Sequence, residues 1–158
     1  MSKFWSSVVS GLKPYTPGEQ PKVPGLIKLN TNEHCLQPSR HAMAVLNAMT
    51  PEALRRYPDP ECTALRSAIA RCEGLSAAQV FVGNGSDEVL AHIFQGLLSS
   101  SQSLVTLDIT YSFYPVWAAL YGLQLKTESL HDDFSIDVNR LSAQKDSILI
   151  ANPNAPTG

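Results

Sequence analysis

Two stretches of this chain combine residue types and spacings that can do chemistry. The first is Gly83-Asn-Gly-Ser-Asp-Glu88. It follows the apolar residues 79–82 and precedes a run in which Val89, Leu90, Ile93, Phe94, Leu97 and Leu98 fall on one helical face. A strand, a glycine turn and a helix start in that order suit an anion. Glycines let the backbone turn tightly and approach a ligand, and the first amides of a helix point outward with no partner of their own. A phosphate is the natural guest, held by backbone amides and Ser86 Oγ, with the carboxylates of Asp87 and Glu88 turned aside. The same residues also allow a ligand-free reading, a turn capped by Asn84 or Ser86 with the two acids complementing the helix dipole. The third glycine of a dinucleotide fingerprint and the Gly-Lys-Ser/Thr of a P-loop are both missing, which argues against nucleotides.

The second stretch is Ala151-Asn-Pro-Asn-Ala-Pro-Thr-Gly158, a loop of amides and prolines that follows the apolar residues 147–150. Loops at the ends of parallel strands are where α/β proteins keep their chemistry.

The elements that must position these loops are legible from pattern. Apolar runs at residues 79–82, 104–107, 123–127 and 147–150 alternate with helical stretches, including 114–121, which predicts a parallel sheet with crossover helices. Such a sheet grows strand by strand, so a chain that stops just after one of its strands is expected to leave it unfinished. Ser39 is a predicted N-cap for a helix carrying Ala42, Leu46 and Met49, stopped by Thr50-Pro51. Asp59-Pro60-Glu61 predicts the start of a second helix, with Leu65, Ala68, Ile69 and Cys72 facing inward and Gly74 closing it. Residues 13–25 hold four prolines and two glycines and predict an extended arm. Residues 99–103 read as a loop.

Composition narrows the function classes. With 44% hydrophobic and 16% charged residues and a net charge of -2, the chain is that of a globular protein with no basic surface to draw it to nucleic acid or an anionic membrane. The odd cysteine count, with Cys35, Cys62 and Cys72 unpaired in spacing, fits a reducing cytoplasm. His34, His41, His92 and His131 are too scattered for a metal site, and none is expected.

Taken together, Lys28-Leu-Asn-Thr-Asn-Glu33, Tyr57-Pro-Asp-Pro60, Gly83-Asn-Gly-Ser-Asp-Glu88, Thr110-Tyr-Ser-Phe-Tyr-Pro115 and the terminal Asn152-Pro-Asn-Ala-Pro-Thr-Gly158 occur in the order and spacing of histidinol-phosphate aminotransferases. The chain resembles the N-terminal part of that family along essentially its whole length. The resemblance implies a fold type I α/β architecture, a homodimer with shared active sites, and pyridoxal 5'-phosphate as cofactor. On that reading residues 1–38 are the arm and the start of a small domain, 39–60 a linking segment, and 61–158 an incomplete large domain. Gly85, Ser86 and Asp87 would cradle the cofactor phosphate. Tyr111 would lie against the cofactor ring, and Tyr57 would reach the phosphate of the partner subunit. Asn32 and Glu33 would approach the substrate. Many relatives place an asparagine immediately before Pro-Thr-Gly to donate to the cofactor's phenolic oxygen. Here that position is Ala155, so Asn154 becomes the substitute, with Asn152 second. A further departure is His34-Cys35, where relatives continue Asn-Pro.

Transamination needs a Schiff-base lysine, a carboxylate at the ring nitrogen and arginines for the substrate. In the family these lie beyond the Pro-Thr-Gly region. Lys3, Lys13, Lys22, Lys28, Lys126 and Lys145 match no such lysine. No catalytic residue is therefore expected in these 158 residues, which alone are expected to be inactive and to fold poorly. The full enzyme would move an amino group between glutamate and imidazole-acetol phosphate in histidine biosynthesis. Two alternatives stay open: another fold type I enzyme, such as an aromatic aminotransferase or a phosphothreonine decarboxylase, and a non-catalytic remnant that serves as an interaction module.

Overall fold

The computed structural model describes residues 3–13, 18–98 and 103–158. Its elements in chain order are helices α1 (Ser7–Gly11), α2 (Arg40–Asn47), α3 (Pro51–Leu54) and α4 (Thr63–Glu73), then a 3-10 turn (Ala77–Gln79) and α5 (Ser86–Gly96). Strand β1 (Ser103–Leu107), α6 (Tyr114–Tyr121), β2 (Gln124–Glu128), α7 (Val138–Ser142) and β3 (Ser147–Ile148) complete the chain. Two compact units emerge, residues 1–15 with 83–158, and residues 16–82. Most of the predicted 99–103 loop, and residues 14–17 of the arm, lie outside the described residues.

The first unit is built on a parallel sheet in the order β2-β1-β3. Strand β1 is central, and Leu104, Val105, Thr106 and Leu107 are all buried. Period-two alternation sends its residues to opposite faces. Leu104 packs with Phe94 of α5 and Ala118 of α6, while Val105 and Leu107 pack with Leu141 of α7. Covering on both faces is what a parallel strand requires, and it buries 104–107 in succession, with the Thr106 hydroxyl satisfied by the Leu149 carbonyl at 2.9 Å. The register runs from Ser103 opposite Gln124 to Leu107 opposite Glu128, and Val105 stands opposite Ile148. The connection from β1 through α6 adds β2 on one side of β1. That from β2 through α7 adds β3 on the other. The carboxyl ends of β1 and β3 are therefore neighbours, and the loops that follow them meet.

Helix α6 starts on Pro115 in its first turn and ends on Gly122, whose φ of +68 is a left-handed C-cap. The predicted strand at 79–82 is not one. A strand needs a ladder partner, and none is formed there among the described residues. Val80 is buried, but Phe81 is exposed.

In the second unit α2 forms as predicted, with Ser39 Oγ accepting from the Ala42 amide at 3.1 Å. Thr50-Pro51 does more than stop it. Thr50 caps α3, accepting from the Ala53 amide, with Pro51 at its first position. The second predicted helix starts later than expected. Asp59 accepts from the amides of Glu61 and Thr63, which makes 59–62 a turn in front of α4, and Cys62 is its N-cap at φ +47. The inward face is also displaced. Ala70 is buried and Ala68 and Ile69 half-buried, while Leu65 and Cys72 are exposed. The cause is Arg66, which bonds the carbonyls of Ala77 and Val80 at 2.8 and 2.9 Å and turns its own side of α4 onto that segment. Gly74 ends α4 at φ +67, as predicted.

Candidate functional site

Helix α5 begins without a side-chain cap. Its N-cap is Gly85 at φ +86 and ψ 169, a conformation that only glycine adopts readily. The Gly85 amide donates to the Gly83 carbonyl at 3.0 Å, which tightens the turn and removes that amide from the donors available to a ligand. The amides of Ser86, Asp87 and Glu88 have no acceptor within the helix, as at every α-helical N-terminus, and all three residues are exposed. Gly83 is required by contact rather than by φ. A Cβ there would lie 2.9 Å from Val89 Cγ2 and 3.1 Å from Glu88 Oε2.

Both acidic side chains have partners of their own. Glu88 turns back and accepts from the Asn84 amide, closing the turn from behind. Asp87 accepts from the Tyr111 hydroxyl at 3.0 Å. The second bond matters most, because it brings the loop after β1 onto the start of α5 across 24 residues of sequence. The Tyr111 ring is set further by Tyr114, edge-on at 5.4 Å between centroids. Burial pushes the Tyr114 phenol above its ordinary pKa, so that neighbour stays neutral.

The loop after β3 meets the same region through Asn154, which is only 7% exposed. Its Nδ2 donates to the Ile109 carbonyl at 2.9 Å and to Thr157 Oγ1 at 2.7 Å. Its Oδ1 accepts from Thr110 Oγ1 at 2.6 Å. A carbonyl can only accept, so the Ile109 contact identifies the nitrogen end of the amide. Both amide hydrogens are used. The expectation that Asn154 donates to a cofactor oxygen therefore conflicts with this arrangement, which leaves no hydrogen for it. Ala155 and Asn152 are both exposed. Asp108, at the end of β1, accepts from the Leu130 amide at 3.1 Å, and that bond leads the causes that hold its carboxyl below the usual range.

The remaining predicted residues lie in the second unit. Tyr57 is fully exposed. Glu33 is ion-paired with Lys28, whose hydrogen bond holds its carboxyl below the ordinary range, and Asn32 follows Thr31 with both at positive φ, 53 and 60. A cavity of about 370 Å³, lined by residues such as Cys62, Arg66 and Val80, belongs to this unit and holds none of the predicted site residues. Arg66 is already committed there to backbone carbonyls.

Sequence reasoning missed the Thr110–Asn154 bond and the return of Glu88 to Asn84. No local spacing joins Thr110 to a residue 44 positions on. The Glu88 contact was in principle readable, since an acid three residues into a helix commonly reaches back to an amide at its start.

A family model described as aminotransferase class I and II matches residues 24–158. A histidinol-phosphate aminotransferase of Dechloromonas aromatica is 53% identical over 162 aligned residues, covering all of this chain and 46% of the relative. One from Aromatoleum aromaticum is 52% identical with the same coverage. The chain thus spans a little under half the length of these relatives. Among solved structures, the histidinol-phosphate aminotransferase of Sinorhizobium meliloti in complex with pyridoxal-5'-phosphate superposes with a TM-score of 0.77. It does so over 99% of this chain and 44% of that one, at 21% identity, a likeness of fold.

Proposed function

The chain belongs to the class I and II aminotransferases, and from that membership we propose that it supplies the phosphate cradle and ring-stacking residue of a histidinol-phosphate aminotransferase. The observation that carries this reading is the Tyr111–Asp87 bond, which sets an aromatic ring beside the open amides of α5 at the end of a parallel sheet. Identity above 50% to relatives named for that activity supports the choice of substrate.

The residues fit pyridoxal phosphate. A doubly charged phosphate needs converging backbone donors, and the Ser86, Asp87 and Glu88 amides provide them at the positive end of an eleven-residue helix. Ser86 Oγ adds a fourth donor. Gly85 keeps the approach open, and Tyr111 gives the ring a flat surface to stack on. Asp87 then has two tasks, its amide toward the phosphate and its carboxylate holding the Tyr111 hydroxyl. The bound cofactor supplies an electron-withdrawing ring that stabilises negative charge at the substrate's α-carbon.

Tyr57, fully exposed, is proposed to reach the phosphate held by a partner subunit of a homodimer, and Asn32 with Glu33 to approach the substrate. No lysine is assigned to catalysis. Lys28 and Lys126 are paired with Glu33 and Asp146. The free thiols Cys35, Cys62 and Cys72 support a cytoplasmic setting. No described helix is long and apolar enough to cross a membrane.

The reading is tested on the protein that carries this sequence, isolated from its source cells. It is expected to convert glutamate to 2-oxoglutarate with imidazole-acetol phosphate as acceptor, and not with phenylpyruvate. Equal turnover on the two acceptors would assign it to another branch of the family.

A further inference from the structure

We propose that Asn154 is a positioning residue that locks the loop after β1 to the loop after β3 and so fixes the plane of Tyr111, rather than a donor to a bound ligand. Its three bonds reach Ile109, Thr110 and Thr157, and Thr110 is the residue before Tyr111. The Tyr111 hydroxyl continues the connection to Asp87. A single buried amide thus ties together two adjacent strand ends and, through Tyr111, the first turn of α5. The Asn154 carbonyl adds to the closure by accepting from the Gly158 amide at 2.6 Å.

The chemistry of the three partners selects asparagine. Ile109 O demands a donor, Thr110 Oγ1 donates to an acceptor, and one planar group must offer both within a single side chain. Aspartate has nearly the same shape but presents a lone pair to Ile109 O. Alanine strands two partly buried polar partners. The latch is a property of the loops themselves. Only its consequence for the ring rests on the cofactor reading.

The test uses the full chain with Asn154→Asp and the milder Thr110→Val. Amide hydrogen exchange is followed in peptides covering 108–114, 152–158 and strand β1, without cofactor. Asn154→Asp is expected to speed exchange in both loops together by about ten- to a hundredfold, and Thr110→Val by about three- to tenfold, with β1 unchanged. At acid pH the protonated aspartic acid regains one donor, so protection corrected for intrinsic rates is expected to return in part. Loosening confined to residues 152–158 would overturn the latch. If Asn154→Asp also releases β1, Thr110→Val decides alone, with both loops loosened in support and one loop against.

A second arm adds pyridoxal phosphate. The Asn154→Asp chain is expected to bind it within about threefold of the parent while losing most of the circular dichroism induced in the cofactor band. A loss of affinity beyond tenfold with exchange unchanged would make Asn154 a ligand and refute the proposal. Absence of binding in parent and variant alike would count against the cofactor reading, and exchange alone would then judge the latch.

Discussion

Replacing Gly85 by alanine and, separately, Gly96 by alanine applies one chemical change to the two ends of α5 with opposite expected signs. Neither added Cβ meets any atom within 4 Å, so packing does not enter. At Gly85 the backbone sits at φ +86 and ψ 169, where a side chain costs about 1–3 kcal/mol. Gly96 is the last residue of the helix and does not lie at positive φ, so alanine there is expected to gain up to about 1 kcal/mol. The variants should therefore differ by roughly 1.5–4 kcal/mol, at least tenfold in the folding equilibrium of the unit. Urea unfolding followed by tryptophan fluorescence reads this directly, because Trp117 packs against Phe94 of α5 with ring centroids 6.4 Å apart. The loss at Gly85 should also appear as weaker binding of pyridoxal phosphate, since the strained turn aims the Ser86, Asp87 and Glu88 amides. Equal stability of the two variants would mean that the turn does not need the conformation assigned to it, and the cradle would lose its physical basis.

Gly83→Ala is expected to destabilise by about 1–3 kcal/mol through the clash with Val89, and Gly83→Ala with Val89→Ala to recover part of that loss in the same urea assay. Tyr111→Phe should keep affinity for pyridoxal phosphate within about fivefold because the ring remains, whereas Tyr111→Ala should lose more than tenfold by fluorescence titration. Arg66→Ala leaves two carbonyls without their donor and is expected to lower the stability of the second unit by about 2–3 kcal/mol, read from calorimetry. Acid should weaken the fold. Asp59, Asp108 and Asp133 all have folded pKa values below their unfolded ones, so their contribution is present above about pH 4 and lost as pH falls through the folded values. Asp108→Asn should flatten that acid limb, and a limb unchanged in steepness would remove Asp108 from it.

The sheet was legible because its strands are short and separated by helical patterns, with a largely apolar β1 at its centre, and helical periodicity located α5 and α6. What failed did so for tertiary reasons. Residues 79–82 have strand composition, but a strand exists only by pairing. Asp59 has the chemistry of an N-cap, yet its two bonds build a turn that delays α4 to Thr63. The apolar stripe through Leu65 and Cys72 was outweighed by Arg66, whose fork finds two carbonyls and rotates the buried side of the helix. Short α3 and α7 carry too few residues for periodicity to register. At the candidate site, the glycine turn was readable from residue type, and Tyr111 only through the family resemblance. The role of Asn154 was not, because its partners Ile109 and Thr110 lie on a different strand end.

The central claim is that the start of α5 recognises a phosphate, and the most direct measurement is the affinity of this chain for pyridoxamine 5'-phosphate against pyridoxamine. Neither carries an aldehyde to react with surface lysines, so the difference isolates the phosphate. The account predicts binding at least about tenfold tighter for the phosphorylated form, reduced by inorganic phosphate and weakened in Gly85→Ala. Equal affinity for the two, insensitive to inorganic phosphate, would contradict it.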